Sequence, residues 1–188
     1  TLSHPDLHLI FPVLKIKGER VSLSDNYVNR WREFILKNPY SSLEKWIELF
    51  RNKNKSGGSG AIYKDEASLI QKKLTLKTFE ALYRVVLIWM PEKMNIQTSN
   101  KLLKTLEEPP NKTVFLLVSK NPSLLLPTIL SRVQKIEVRN FTLQEIQTGL
   151  KNTNITKEKI NRLKHLTSSD FGEIIELSER KTQDTMLF

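Results

Sequence analysis

The chain has 188 residues, which allows one ordinary domain or one domain with a small appendage. With 39% apolar and 27% charged residues it can build a core under a hydrated surface; a wholly disordered chain is excluded, and the lack of any eighteen-residue apolar run excludes a membrane-spanning helix. There is no cysteine, which rules out disulfides and thiolate metal sites, and 30 Lys and Arg against 20 Asp and Glu leave a charge of +10 that suits either a polyanion partner or simple solubility.

Residues 7–14, Leu-His-Leu-Ile-Phe-Pro-Val-Leu, predict a short buried strand closed by Pro12. Asp25 to Leu36 carries Val28, Trp31, Ile35 and Leu36 at helical spacing and ends at Asn38-Pro39. A second amphipathic helix starts after Ser42 and runs through Phe50. The polar stretch Arg51 to Gly60, with Gly57-Gly58-Ser59-Gly60 at its end, predicts a flexible loop, natural or introduced as a linker. It is not a phosphate-binding loop, because Gly-x-x-x-x-Gly-Lys-Ser/Thr occurs nowhere in the chain.

Tyr63 to Leu76 predicts a third helix, with Ala67, Ile70 and Leu74 on one face. Val85-Val86-Leu87-Ile88 is an aliphatic run suited to a strand buried on both faces. Asn95 can cap a helix from Ile96 to Glu107, which Pro109-Pro110 stops. Val114 to Val118 is a second fully apolar strand, and Ser123 to Leu130 a short helical or turn segment broken by Pro127. Gln134 to Val138 alternates polar with apolar and predicts a third strand at a sheet edge. Three short helices follow, over Thr142–Leu150, Thr156–Leu166 and Phe171–Arg180. Strands separated by helices imply an α/β fold with a mostly parallel sheet flanked by helices. The change to helices alone places a domain boundary near residue 140, giving an α/β core over 1–139 and a small three-helix module over 140–188.

Ligands of open α/β sheets gather where the strands end. Trp89 and Met90 follow the first aliphatic run, and neither can ligate a hard cation, which takes oxygen donors. Glu92, farther on, fits a surface or helix-start carboxylate. With no phosphate loop and no metal-holding acid, hydrolysis of a nucleotide by this chain is not expected. Ser119, Lys120 and Asn121 follow the second run and suit turn chemistry, or the orientation of a phosphate or water. Arg132 lies on a proline-stiffened element, Leu126-Pro127-Thr128-Ile129-Leu130-Ser131-Arg132, able to project a permanently charged fork outward.

The strings Asn100-Lys101-Leu102-Leu103-Lys104-Thr105-Leu106-Glu107-Glu108-Pro109-Pro110 and Leu126 to Arg132, with Val85 to Asn95, resemble the clamp-loader branch of the AAA+ family, most of all the delta-prime type of bacterial DNA polymerase III subunits. His4-Pro5-Asp6-Leu7 resembles the start of that family's second strand. The resemblance spans most of residues 1–180 and is weak between about 15 and 60. It implies a partial AAA+, P-loop NTPase-like sheet followed by a helical lid. Trp89 and Met90 stand where hydrolysing relatives carry two acids, Val133 replaces the cysteine of a Ser-Arg-Cys motif, and Gly172-Glu173-Ile174 occupies the place of a nucleotide-sensing arginine.

The resemblance therefore implies a non-hydrolysing accessory subunit that offers Arg132 in trans to a neighbour's ATP, with Ser131 fixing the turn. No cofactor is expected in this chain: ATP and magnesium would belong to the neighbour, and the family's zinc module is not found. Expected partners are the other clamp-loader subunits (an ATPase subunit and delta), the sliding clamp and primer-template DNA. The start at Thr1 without a signal-peptide pattern suits a processed chain or a fragment in a cytoplasmic setting, and since the resembled family's P-loop region and collar domain are not found either, a fragment is expected, one able to self-associate through an incomplete sheet. The alternative is a stand-alone basic nucleic-acid-binding module using Lys151, Lys157, Lys159, Arg162 and Lys164, which otherwise form a solvated helix face.

Overall fold

The computed structural model describes residues 2–15, 22–54, 58–151, 155–167 and 171–184. The aliphatic run before Trp89 becomes the middle strand of a three-stranded parallel sheet. Strands β1 (Leu7–Ile10), β2 (Arg84–Trp89) and β3 (Thr113–Val118) lie in the order β1-β2-β3, with Leu9 beside Leu87 and Ile88 beside Leu117. Parallel neighbours need crossovers. Helices α1 (Val28–Lys37), α2 (Leu43–Asn54) and α3 (Lys64–Leu74) supply the first, and α4 (Ile96–Glu107) the second.

Each face of the sheet has its own core. Ile10, Val86 and Ile88 pack with Ile70 of α3, Leu102 and Leu106 of α4, and Ile129 of α5 (Pro127–Leu130). On the other face Leu9 and Phe11 meet Trp31 of α1 and Trp46, Ile47 and Phe50 of α2, with Leu87 and Trp89 of β2 partly buried against them. Trp46 is completely enclosed and donates its indole N–H to Pro12 O at 2.8 Å. Phe11, Phe34 and Phe50 surround its ring at 4.9 to 5.4 Å.

The first strand is shorter than expected, because Pro12 removes a ladder donor; the chain rejoins only at Val13, which pairs antiparallel with Ala61. β2 is buried on one face and half-buried on the other, rather than buried on both. β3 departs further: Val114, Leu116 and Val118 are 39 to 50% exposed. The described helices on that face cover β1 and β2 and stop short of β3. Gln134 to Val138 does not form the expected edge strand. The segment is irregular, with Ile136 and Val138 80 and 87% exposed. Alternation gives a strand a face to bury, but a strand also needs a neighbouring strand, and the described sheet is made of β1, β2 and β3 without this segment.

Of the expected loop, Arg51 to Asn54 instead continue α2, because helical hydrogen bonding there outlasts the apolar periodicity, and Lys55 to Gly57 lie outside the described residues. Gly60 is buried with φ +73°, and a Cβ there would collide with Ile47 of α2. Glycine is needed for both reasons. Nearby, the buried Glu66 accepts from Ser24 N at 2.9 Å and Ser24 Oγ at 2.5 Å, tying α3 to the turn that starts α1; burial pushes its carboxyl pKa up.

Asp6 organises the loop ahead of β2. Its carboxylate accepts the N–H groups of Phe79, Glu80 and Ala81 at 2.7, 2.9 and 2.8 Å, while the buried Arg84 donates to the carbonyls of Leu74 and Leu76. The Ala81 N–H foremost, then those of Glu80 and Phe79, lower the Asp6 pKa from 3.8 to about 2. A depressed carboxyl contributes stability that is present above the unfolded value of 3.8 and lost as pH falls through about 2. Asp6→Asn is therefore expected to flatten the acid limb of the stability profile, followed by circular dichroism from about pH 5 down to about pH 1. Superimposable acid curves for the two proteins would count against this.

The chain divides into two compact units, Thr1–Lys37 with Leu43–Lys135, and Asn38–Ser42 with Ile136–Phe188. The second contains α6 (Leu143–Gly149), α7 (Lys157–Leu166) and α8 (Phe171–Asp184) around Ile146, Leu150, Ile160, Leu163 and Ile174. Thr142 and Glu145 form a reciprocal cap on α6, and Arg139 grips Glu145 with both guanidinium ends at 2.9 and 2.7 Å. Asn38–Ser42 joins this unit through Tyr40, edge-on to Phe171 at 4.8 Å, and through Ser42 N, which donates to Glu176.

Candidate functional site

Asn95 caps α4 as its sequence position predicts, its side chain accepting from Thr98 N at 2.7 Å. The threonine hydroxyl in turn donates to Ile62 O at 3.0 Å, so the start of α4 is fastened to the chain entering α3. Leu102 and Leu106 bury the inner face, and Glu107 is the last helical residue before Pro109-Pro110.

Beyond β3 the backbone turns at Ser119 to Asn121. Glu92 stands in the first turn of a short 3-10 helix, Pro91–Lys93, as a helix-start carboxylate, and its Oε1 also accepts from Lys120 N at 3.0 Å and Asn121 N at 3.2 Å. It thus ties the segment after β2 to the turn after β3. Its Oε2 and the Ser119 hydroxyl are buried and have no hydrogen-bond partner among the described residues. Met90, between the two segments, has a left-handed φ of 55° and donates its N–H to Val118 O at 2.9 Å. Its neighbour Trp89 packs edge-on to Trp31 at 6.0 Å. An indole in an aromatic cluster and a thioether do not fit a magnesium–nucleotide group, which wants oxygen ligands.

The proline-stiffened element forms α5 (Pro127–Leu130), with Pro127 at its first position and Ile129 completely buried. Anchoring Ile129 leaves Thr128, Ser131 and Arg132 at the surface. Arg132 Nη1 donates to Thr128 O at 2.9 Å and Ser131 Oγ at 3.2 Å, and the Ser131 hydroxyl donates to the same carbonyl at 3.1 Å. Arg132 Nη2 lies 3.4 Å from Glu107 Oε1, with the arginine side chain 30% exposed. The guanidinium is accessible, aimed by its own turn, and only loosely held by a carboxylate.

The structure thus brings Ser131 and Arg132 together with Thr128 and Glu107. Thr128 lies one helical turn before Arg132, whereas Glu107 was visible in the sequence only as a motif letter, since no spacing rule pairs residues 25 positions apart. Of the basic residues in the helical unit, Lys151 and Arg162 are exposed and Lys159 half-buried; the side chains of Lys157 and Lys164 lie outside the described set. No group of three or more acidic or imidazole side chains able to hold a metal ion occurs among the described residues, and no described helix is long and apolar enough to cross a membrane.

Comparison with known proteins gives a consistent picture. A family model described as DNA polymerase III, delta subunit, matches residues 1–142. A 49-residue stretch is 57% identical to DNA polymerase III subunit delta' of Pseudomonas aeruginosa, covering 26% of this chain and 15% of that protein. DNA polymerase III subunit delta' of Bacillus subtilis is 27% identical over 118 residues, 63% of this chain and 36% of the relative. DNA polymerase III subunit tau of the same organism is 35% identical over 82 residues, 44% and 15% of the two chains. The chain therefore spans 15 to 36% of the length of these relatives.

Proposed function

This chain belongs to the DNA polymerase III delta-subunit family, and we propose that it is a non-hydrolysing accessory subunit of a clamp loader, lending Arg132 in trans to the ATP site of a neighbouring subunit. The observation that carries this reading is the state of Arg132: exposed at the end of an element pinned by Ile129, and committed to no buried partner. A planar fork so placed can bind the oxygens of a transferring phosphoryl group and stabilise the charge that develops there. Supplied by one subunit to another, the same contact makes their packing respond to ATP.

The partners that follow are an ATPase subunit, delta, the sliding clamp and primer-template DNA reached through the assembly. ATP and magnesium belong to the neighbour's site. Trp89 and Met90 support this division, because they occupy the end of β2 without an oxygen ligand for the cation.

Two measurements on the purified chain test the reading against its alternative, a stand-alone basic nucleic-acid-binding module. It is expected to show no magnesium-dependent ATP turnover above background; robust turnover would overturn the non-hydrolysing assignment. It is also expected to bind primer-template DNA negligibly without its partners. Tight binding that weakens steeply with salt would favour the module instead.

A further inference from the structure

Glu107 and Arg132 meet because the core sets their separation. Leu106, the residue before Glu107, and Ile129, three before Arg132, are buried in the same cluster. The end of α4 and the turn after α5 therefore share one support. The carboxylate stands at the carbonyl end of α4, where a negative charge opposes the helix dipole and a cation is favoured.

The two halves of the guanidinium are divided between duties. Nη1 serves its own turn through Thr128 O and Ser131 Oγ, and Nη2 faces Glu107 Oε1. The second contact is long, at 3.4 Å, and both side chains are partly in water, 30 and 55% exposed. Such a pair is weak enough to exchange. The turn holds the arginine in place whether or not the carboxylate is engaged, because the Nη1 bonds do not depend on it.

We infer that Glu107 holds Arg132 in reserve, occupying the Nη2 edge until a triphosphate oxygen of the neighbouring subunit displaces it. This rests on the proposed role of Arg132 in trans. Glu107 is then a positioning residue that competes with nucleotide for one donor. A ligand that must first break a contact binds more weakly by the worth of that contact. When the phosphate leaves, the carboxylate recovers the same donor, and the cation is neutralised between cycles.

The test is a loader reconstituted with this subunit carrying Glu107→Gln, which keeps the shape and removes the charge. The KM for ATP is expected to fall about two- to fivefold at low salt, the range for an exposed ion pair, with a smaller change in kcat. The difference should shrink as salt approaches about 1 M, because the pair is screened. In an Arg132→Ala background, Glu107→Gln should leave KM where it was. An unaltered KM at low salt in the single variant overturns the inference. So does a fall in kcat at constant KM, which would give Glu107 an aiming role, or a KM effect that persists without Arg132. The role of Arg132 is judged by Arg132→Ala alone, so the inference about Glu107 can fail while that role stands, and the two failures are told apart.

Discussion

Arg132→Ala is expected to leave the subunit folded and to reduce DNA-stimulated ATP turnover at the site it faces by at least about 10³-fold, the lower end for an arginine supplied in trans. The side chain is 30% exposed and its hydrogen bonds stay within its own turn apart from the long contact to Glu107, so its removal should change stability by about 0.5 kcal/mol or less. Arg132→Lys should rescue little of the lost rate. An ammonium keeps the charge but cannot supply two parallel donors from a rigid plane. The assay is single-turnover hydrolysis in the reconstituted loader at saturating primer-template DNA, with thermal unfolding as the folding control. Normal turnover in a folded Arg132→Ala complex would falsify the role in trans.

Trp46→Ala is expected to have the largest effect on stability, destabilising the first unit by about 3–5 kcal/mol. The ring is completely buried, touches three other aromatic side chains, and supplies the donor that satisfies Pro12 O. Truncation opens a cavity between α2 and the sheet and leaves that carbonyl without its partner. Small domains carry a total stability of about 5–15 kcal/mol, so the variant should sit near its unfolding transition at physiological temperature. Urea titration measures the shift in midpoint. A loss below about 1 kcal/mol would show that the site collapses around the missing ring.

The two variants separate chemistry from architecture. One removes an exposed cation that the core does not need, the other a core ring that lies outside the proposed site. Loss of ATP turnover in the first with normal melting, and loss of melting temperature in the second, is the expected pattern.

Much of the architecture was legible before any coordinates. Asn95, the apolar face of α4 and Pro109-Pro110 placed that helix, because cap, periodicity and stop are all local signals. The aliphatic runs gave β2 and β3 within one residue at each end. Gln134 to Val138 misled for the opposite reason: alternation is local, but pairing is not, and a strand without a partner strand has nowhere to place its backbone hydrogen bonds. The half-exposed β3 has a similar origin. Val114, Leu116 and Val118 read as core, yet whether a strand face is covered depends on where helices from distant sequence come to lie.

By itself the sequence determined the order of the helices and of β1 to β3, the placing of Arg132 on a proline-braced turn, and side chains at Trp89 and Met90 that offer a cation no oxygen ligand. These follow from residue types and short spacings, which act within one or two helical turns. Only the tertiary structure decided that Asp6 fastens the loop 79–81, that Glu92 braces the turn after β3, that Tyr40 carries Asn38–Ser42 into the second unit, and that Glu107 meets Arg132. Each joins groups far apart along the chain, and such partners are chosen by the packing of buried side chains, which fixes distances that no local pattern encodes.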